Sequence, residues 1–348
     1  MLPPTYVPGF HDEAAVRAMR YNDLGTTGLK VSHLGFGGAA LGCFGDFPEE
    51  EGIAAVREAI RQGINYIDTA PLYGLGRSEE VIGKALKGIP RKAYYIATKV
   101  ARYSMEDPRT IFDFSAQKTR ESFAKSLELL QLDYVDVIQV HDLDLANKPD
   151  LVIRETLPVL QEFVAAGKAR FIGITGYHPE ALREIIEKST SVKVDTVLSF
   201  ARDTLLDDTL QRHMPFFKEK GVGVICAAGV AMGLLSNRGP APWHPAPQEL
   251  KEACRAVADY CKEKGVELAR LAVHHALTRE GQATHLVGVN SVRELQSNLQ
   301  ILRDGLSPAE KEVLRDIQQK FFAKIPVRHW EGVEQPKLME AWRKLGML

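Results

Sequence analysis

Residues 64–83 read INYIDTAPLYGLGRSEEVIG. The first four form a short apolar, strand-like run, and the segment ends in a helical pattern, RSEEVIGKAL. Between the two lies a loop that holds Asp68 and, five residues later, Tyr73. Pro71, Gly74 and Gly76 keep that loop out of regular structure. A carboxylate at the carboxyl end of a strand, followed by a phenol in the next loop, is where a parallel α/β enzyme carries its chemistry. Taken alone, the two residues read sooner as a helix cap and a loop-packing aromatic.

The same strand-then-helix unit recurs on both sides. Strand-like runs are LGFGG (34–38), YIATKV (95–100), VDVIQV (135–140), RFIGIT (170–175), VDTVLS (194–199), VGVICA (222–227) and HLVGV (285–289). With INYI they make eight. Helical patterns fill the intervals at 48–62, 117–130, 151–166, 179–188, 205–220, 248–264 with 268–277, and 292–302, and a capped helix follows at 307–322. Eight such units predict a closed (β/α)8 TIM barrel, a parallel sheet covered by helices. The run 23–31, DLGTTGLKV, predicts an N-terminal hairpin. Residues 1–20 hold three prolines and no strand pattern, so they are expected as a surface extension ahead of a single barrel spanning 21–348, with an appended C-terminal helix. The rival is a doubly wound sheet. GFGGAA (35–40) matches a dinucleotide-binding GxGxxA, but the helix that should start at those glycines begins only near Pro48.

Composition narrows the function. The chain has 348 residues, 45% of them apolar, and a net charge of −1, which gives no electrostatic case for nucleic acid or an anionic membrane. Cys43, Cys226, Cys254 and Cys261 show no paired spacing and are expected as reduced thiols. No secretory signal and no run of membrane length is read, so a cytoplasmic location is expected.

If the eight strands close, their carboxyl ends share one mouth. Strand two delivers Asp68 and the loop bearing Tyr73, strand three ends at Lys99, strand four at His141 and strand five at Thr175. Lys99 alone reads as a snorkelling surface lysine, and His141 alone as a structural histidine. Together they suit proton transfer to a carbonyl oxygen. An ammonium beside a phenol favours the phenolate, a carboxylate holds the ammonium, and an imidazole can hydrogen-bond the substrate. No metal-ligand spacing is present, since His274-His275 lacks the HExxH pattern.

IDTAPLYGLGRSEEVIGKAL, IATKV and VIQVHDLD together resemble the aldo-keto reductase superfamily over about residues 22–302. GLKVSHLGFGGAALG, LDYVDVIQVHD, GVGVICAAGVAMGLLS and VGVNSVRELQSNL are most similar to its L-galactose dehydrogenase branch, which oxidises a sugar's anomeric carbon to a lactone. The resemblance implies a barrel that binds NAD or NADP without a Rossmann domain. It also implies that Asp68, Tyr73, Lys99 and His141 form the catalytic set, with Tyr73 the proton donor. Cofactor contacts are implied at Gly37, Asp68, Thr175, Ser199, Gly233, Leu234, Gly288, Asn290, Ser291 and Asn298. Three departures stand out. Thr175-Gly176 replaces the family's Ser-Asn, Ser199 stands at or near its Gln, and residues 228–234, AGVAMGL, replace Ser-Pro-Leu-x-x-Gly-Leu. Asn290 stands where NADP-preferring members carry a cation, which favours NAD, although Arg293 lies one turn on.

The implied substrate is a sugar or a small aldehyde or ketone. Two other classes are weighed: a regulatory cofactor-binding subunit of potassium-channel β type, whose relatives keep the same four residues, and a lyase using Lys99 as a Schiff base. Loops 43–47, 103–114, 143–148 and 235–247 are the specificity candidates, through Phe44, Phe47, Phe112, Phe114 and Trp243.

Overall fold

The computed structural model describes residues 2–42, 47–145 and 149–347. Eight parallel strands close into a barrel: β1 (Leu34–Gly37), β2 (Tyr66–Asp68), β3 (Tyr95–Val100), β4 (Val135–Val140), β5 (Ala169–Gly176), β6 (Thr196–Phe200), β7 (Gly223–Ala227) and β8 (Thr284–Gly288). β8 pairs with β1 through Gly288 and Gly37, which completes the ring and excludes the open doubly wound sheet. All eight expected strands are present.

Side chains alternate between the barrel interior and the helical shell. Tyr66, Tyr95, Ala97, Val137, Leu198, Ile225 and Leu286 fill the interior, while Ile96, Ile138, Ile172, Val197 and Val224 join the shell core. The expected hairpin pairs Tyr21–Asp23 antiparallel with Lys30–Ser32. Its Leu24, Leu29 and Val31 pack into the barrel's interior cluster and plug the amino-terminal end. The N-terminal segment is more ordered than a surface extension. It contains a helix, Glu13–Ala18, capped by Asp12, and its Thr5 is buried. Buried Asn65 donates to both Thr5 Oγ1 (2.9 Å) and Lys30 O (2.8 Å), tying extension, hairpin and β2 together.

One helical expectation is corrected and another is met with a change of pitch. The segment 205–220 is helical only at Met214–Glu219, after a single turn at Thr209–Arg212. Thr204 Oγ1 accepts from the Leu206 and Asp207 amides, and buried Arg202 pairs with Asp207 at 2.9 Å. Those side-chain bonds hold the first residues in a turn instead of a helix. The helix at 307–322 is α-helical over Pro308–Asp316, with a capping box at Ser307 and Glu310, and then widens into a π turn. A further helix, Glu334–Lys344, was not anticipated, because Pro336 in its first turn and the proline-bearing approach hid its periodicity.

Among the described residues no helix is long and apolar enough to cross a membrane. Cys226, Cys254 and Cys261 are free and buried, and burial pushes the Cys254 thiol up to about 12 and the Cys261 thiol up to about 11. Cys43, Phe44 and residues 146–148, parts of two expected specificity loops, lie outside the described residues.

Candidate active site

The backbone marks the barrel mouth independently of any motif. Among the described residues, eight non-glycine residues have positive φ, and Gln131 alone of them caps a helix. The other seven lie in loops leaving the carboxyl ends of the strands: Leu75 after β2, Ala101 after β3, Asp142 after β4, Ala201 after β6, and Ala228, Ala231 and Met232 after β7. Such conformations cost free energy and concentrate where function constrains the chain.

Asp68, Lys99 and Gln139 are the uppermost interior residues of β2, β3 and β4, with His141 one residue beyond β4. Lys99 is 1% exposed, and its ammonium donates to Asp68 Oδ1 (2.5 Å), Thr69 O (2.9 Å) and the Tyr73 hydroxyl oxygen (3.2 Å). Gln139 donates to the other Asp68 oxygen at 2.8 Å. The Tyr73 ring meets the His141 ring edge-on, 5.7 Å between centroids, and lies under the Lys99 ammonium at 4.8 Å. Burial pushes the His141 imidazole down to about 3, against the opposing pull of Asp142, so it is neutral at physiological pH. A neutral imidazole keeps one N–H to give to a substrate oxygen.

The Tyr73 loop is clamped from both sides. Ser78 N donates to Tyr73 O at 3.1 Å, and the Ser78 hydroxyl bridges Thr69 and the Gly38 carbonyl, each at 2.8 Å. Gly42, from the loop after β1, sits so close that a Cβ there would overlap the Tyr73 carbonyl.

Strands β2 to β5 present Asp68, Lys99, Gln139 and Thr175 to the mouth. The adjoining strands β7, β8 and β1 present Ala227, Gly288 and Gly37 on the same side. That bare wall leaves room for a planar ring beside the polar residues. A Cβ on Gly37 would already crowd Val287 O at 3.2 Å. Beyond it, Ser291 caps the helix Val292–Asp304, which aims its amino end toward the mouth and suits a phosphate group. Asn298 lies half-buried on that helix, while Gly233 (φ 95°) and buried Leu234 belong to the loop after β7. These residues are of a kind that would suit a nicotinamide dinucleotide: uncrowded strand ends and a helix amino end for phosphate.

The β5–β6 side fits less directly. Thr175 Oγ1 is engaged with Asp142, accepting from its amide at 2.9 Å. Gly176 faces the shell, where a Cβ would meet Asp144 Oδ1 at 2.5 Å. The close approach of Asp144, which accepts from the Tyr177 and His178 amides, explains glycine there. Burial raises that Asp144 carboxyl to about 7. Ser199 shares the outer side of β6 with Val197, and its buried hydroxyl has no partner among the described residues.

Sequence reasoning missed Gln139, Arg102 and Asp142. Gln139 was legible as the residue two before His141, hence on the same face of β4. Buried Arg102 pairs with Asp142, whose carboxylate lies 3.7 Å from His141 Nε2. Among the described residues no group of three or more His, Cys, Asp or Glu side chains could hold a metal ion.

Comparison with known proteins agrees with this geometry. The aldo/keto reductase family model matches residues 33–319. L-galactose dehydrogenase of Arabidopsis thaliana is 44% identical over 279 residues, 79% of this chain and 86% of that one. D-arabinose 1-dehydrogenase of Saccharomyces cerevisiae is 30% identical over 330 residues, 89% and 96% of the two chains. The solved structure of aldo-keto reductase AKR11C1 from Bacillus halodurans, in its holo form, superposes with a TM-score of 0.68 at 30% identity, covering 90% of this chain and 100% of that one. The chain belongs to the aldo/keto reductase family. It is therefore an oxidoreductase that works with a nicotinamide cofactor, and its sequence is L-galactose dehydrogenase-like.

Proposed function

We propose that this oxidoreductase is an aldose 1-dehydrogenase that oxidises the anomeric carbon of a sugar such as L-galactose to a lactone, with NAD as the preferred cofactor. The observation that carries the chemistry is the Lys99 ammonium held between Asp68 and Tyr73. In oxidation, the Tyr73 oxygen takes the proton of the anomeric hydroxyl, and the ammonium beside it stabilises the phenolate that makes this possible. Asp68 and Gln139 fix the ammonium. Neutral His141 donates to the same substrate oxygen and orients it. A bound nicotinamide would supply the acceptor for the hydride that leaves C1. In reduction the proton moves the other way, from Tyr73 to the carbonyl oxygen.

The sugar assignment is supported by the 44% identical L-galactose dehydrogenase and the 30% identical D-arabinose 1-dehydrogenase. The NAD preference is supported at the start of the helix after β8. Asn290 carries no charge on its side chain, and its backbone N–H donates to the Glu294 carboxylate at 3.2 Å. An anion therefore stands where a 2′-phosphate would need a cation. Gly37, Asp68, Thr175, Gly233, Leu234, Gly288, Asn290, Ser291 and Asn298 are the residues we assign to the cofactor. Ser199 acts, in this reading, only through the backbone of β6. The test is an aldose panel followed by cofactor absorbance with both nucleotides, and product analysis for a lactone. Turnover of simple aldehydes with none of any aldose would overturn the substrate assignment.

A further inference from the structure

Beside the proton-transfer residues, the mouth carries a charged pair that the proposed chemistry does not use. Arg102 is 9% exposed and follows β3 by two residues. It spends one Nη1 hydrogen on Asp142, while Nη2 makes no hydrogen bond among the described residues and, unlike Nε, is not sealed from solvent. A buried guanidinium with an unspent donor is costly unless a ligand completes it.

The other member comes from the far end of the chain. The helix Glu334–Lys344 lies across the loops after β3 and β4. Gln335 Nε2 donates to Asp144 O at 3.2 Å, and Trp342 Nε1 donates to Pro108 O at 2.7 Å. Trp342 also meets the ring of Phe112, the bridge partner of Arg102, at 6.5 Å. This docking leaves Glu334, the first residue of the helix, half-buried and near enough to Arg102 for each charge to act on the other. Among the described residues the Glu334 carboxylate has neither a hydrogen bond nor an ion pair. Burial raises it above the usual carboxylate range, while Arg102 pulls it back and Asp142 pushes it up.

We propose that Arg102 and Glu334 form a polar jaw that holds the sugar hydroxyls remote from C1, and that they set the preference for a polyhydroxylated substrate over a plain aldehyde. The inference rests on the aldose reading above. Adjacent ring hydroxyls present two acceptors and two donors side by side. A guanidinium edge meets the acceptors and a carboxylate meets the donors, and both are stronger as charge-assisted bonds than neutral ones. Phe112, with the Arg102 guanidinium 5.5 Å from its ring centroid, supplies an apolar face next to the jaw.

The experiment compares kcat/KM for an aldose with kcat/KM for a straight-chain aldehyde lacking hydroxyls, in wild type, Glu334→Gln, Glu334→Ala and Arg102→Lys. One charge-assisted bond corresponds to about a tenfold to hundredfold change. The aldose-to-aldehyde ratio is expected to fall by that factor in each variant, chiefly through KM for the aldose. A helix-start role for Glu334 alone would lower the unfolding midpoint and leave the ratio where it was. An aldose-active wild type whose ratio is unmoved in both Glu334 variants overturns the jaw and leaves the dehydrogenase reading standing. A wild type that turns over the aldehyde but no aldose overturns both.

Discussion

Lys99 gives one of its ammonium hydrogens to the Tyr73 hydroxyl oxygen across 3.2 Å. An ammonium only donates, so the phenolic oxygen accepts and its own proton is directed elsewhere. The remaining two ammonium hydrogens go to Asp68 Oδ1 and Thr69 O, which leaves Lys99 no freedom to turn away. The Lys99 contact is thus set by β2, β3 and the loop between them, with Gln139 of β4 holding the second Asp68 oxygen.

The Asp68–Lys99 pair is buried, at 3% and 1% side-chain exposure. Asp68→Ala would leave an uncompensated ammonium in the barrel. It is expected to destabilise the protein by roughly 3–5 kcal/mol in chemical denaturation, as removal of one partner of a buried pair does. A loss of about 1 kcal/mol or less, the range of an exposed pair, would contradict that account.

Gly42 bears on Tyr73 through the backbone. Gly42→Ala is expected to displace the Tyr73 carbonyl, because the added carbon has no space there. A shift of that size at the reacting group lowers kcat by up to about a hundredfold. The unfolding midpoint should fall as well, by the equivalent of about 1–3 kcal/mol for overpacking against backbone, and an unaltered kcat would show that the loop absorbs the methyl group.

Much of this was open to the sequence. The eight strands were legible because each is a short apolar run ended by a turn signal, and Asp68, Lys99 and His141 because each closes one of those runs. Tyr73 followed from its place in the next loop. The polar jaw was not legible. Arg102 looks like any loop arginine until the strands place it next to Asp142, and Glu334 lies more than two hundred residues away on a helix with Pro336 in its first turn. The segment 205–220 misled because its apolar spacing is helical while Thr204 and Asp207 impose a turn. Thr175, Gly176 and Ser199 could be named, but which face of the strand each uses depends on the register.

Stability should depend on pH through the buried histidines. His141 and His285 titrate at about 3 in the folded protein, against an ordinary value of 6.5, chiefly through burial. Below about pH 6.5 the unfolded chain takes up protons that the folded chain refuses, so these groups remove stability as pH falls from there toward their folded values, and contribute nothing above it. Asp144, raised to about 7, acts with the opposite sign over part of that window. Replacing one histidine isolates its share. The unfolding midpoint of His285→Gln is expected to fall less steeply than that of wild type as the pH is lowered through this window. Parallel curves for the two proteins would count against a neutral buried His285.

Cofactor choice should respond to one side chain. Wild type is expected to bind NADH at least as tightly as NADPH, and Asn290→Arg to shift preference toward NADPH by about 10–100-fold, the worth of one charge-assisted bond to phosphate. The shift should shrink as salt is raised, because the new contact is partly exposed. A wild type that already prefers NADPH by about tenfold would mean that a cation reaches the 2′-phosphate from elsewhere, with Arg293 the first to replace.

The central claim is that Tyr73 moves the proton, and the Tyr73→Phe variant tests it most directly. The ring, its packing on His141 and the clamp on its backbone are all retained; the hydroxyl alone is lost. NADH binding, read by fluorescence titration, should match wild type, while kcat in either direction should fall by roughly 10²–10⁴-fold, the contribution of a positioned acid–base group. A variant that binds NADH normally and keeps a kcat near that of wild type would contradict the account.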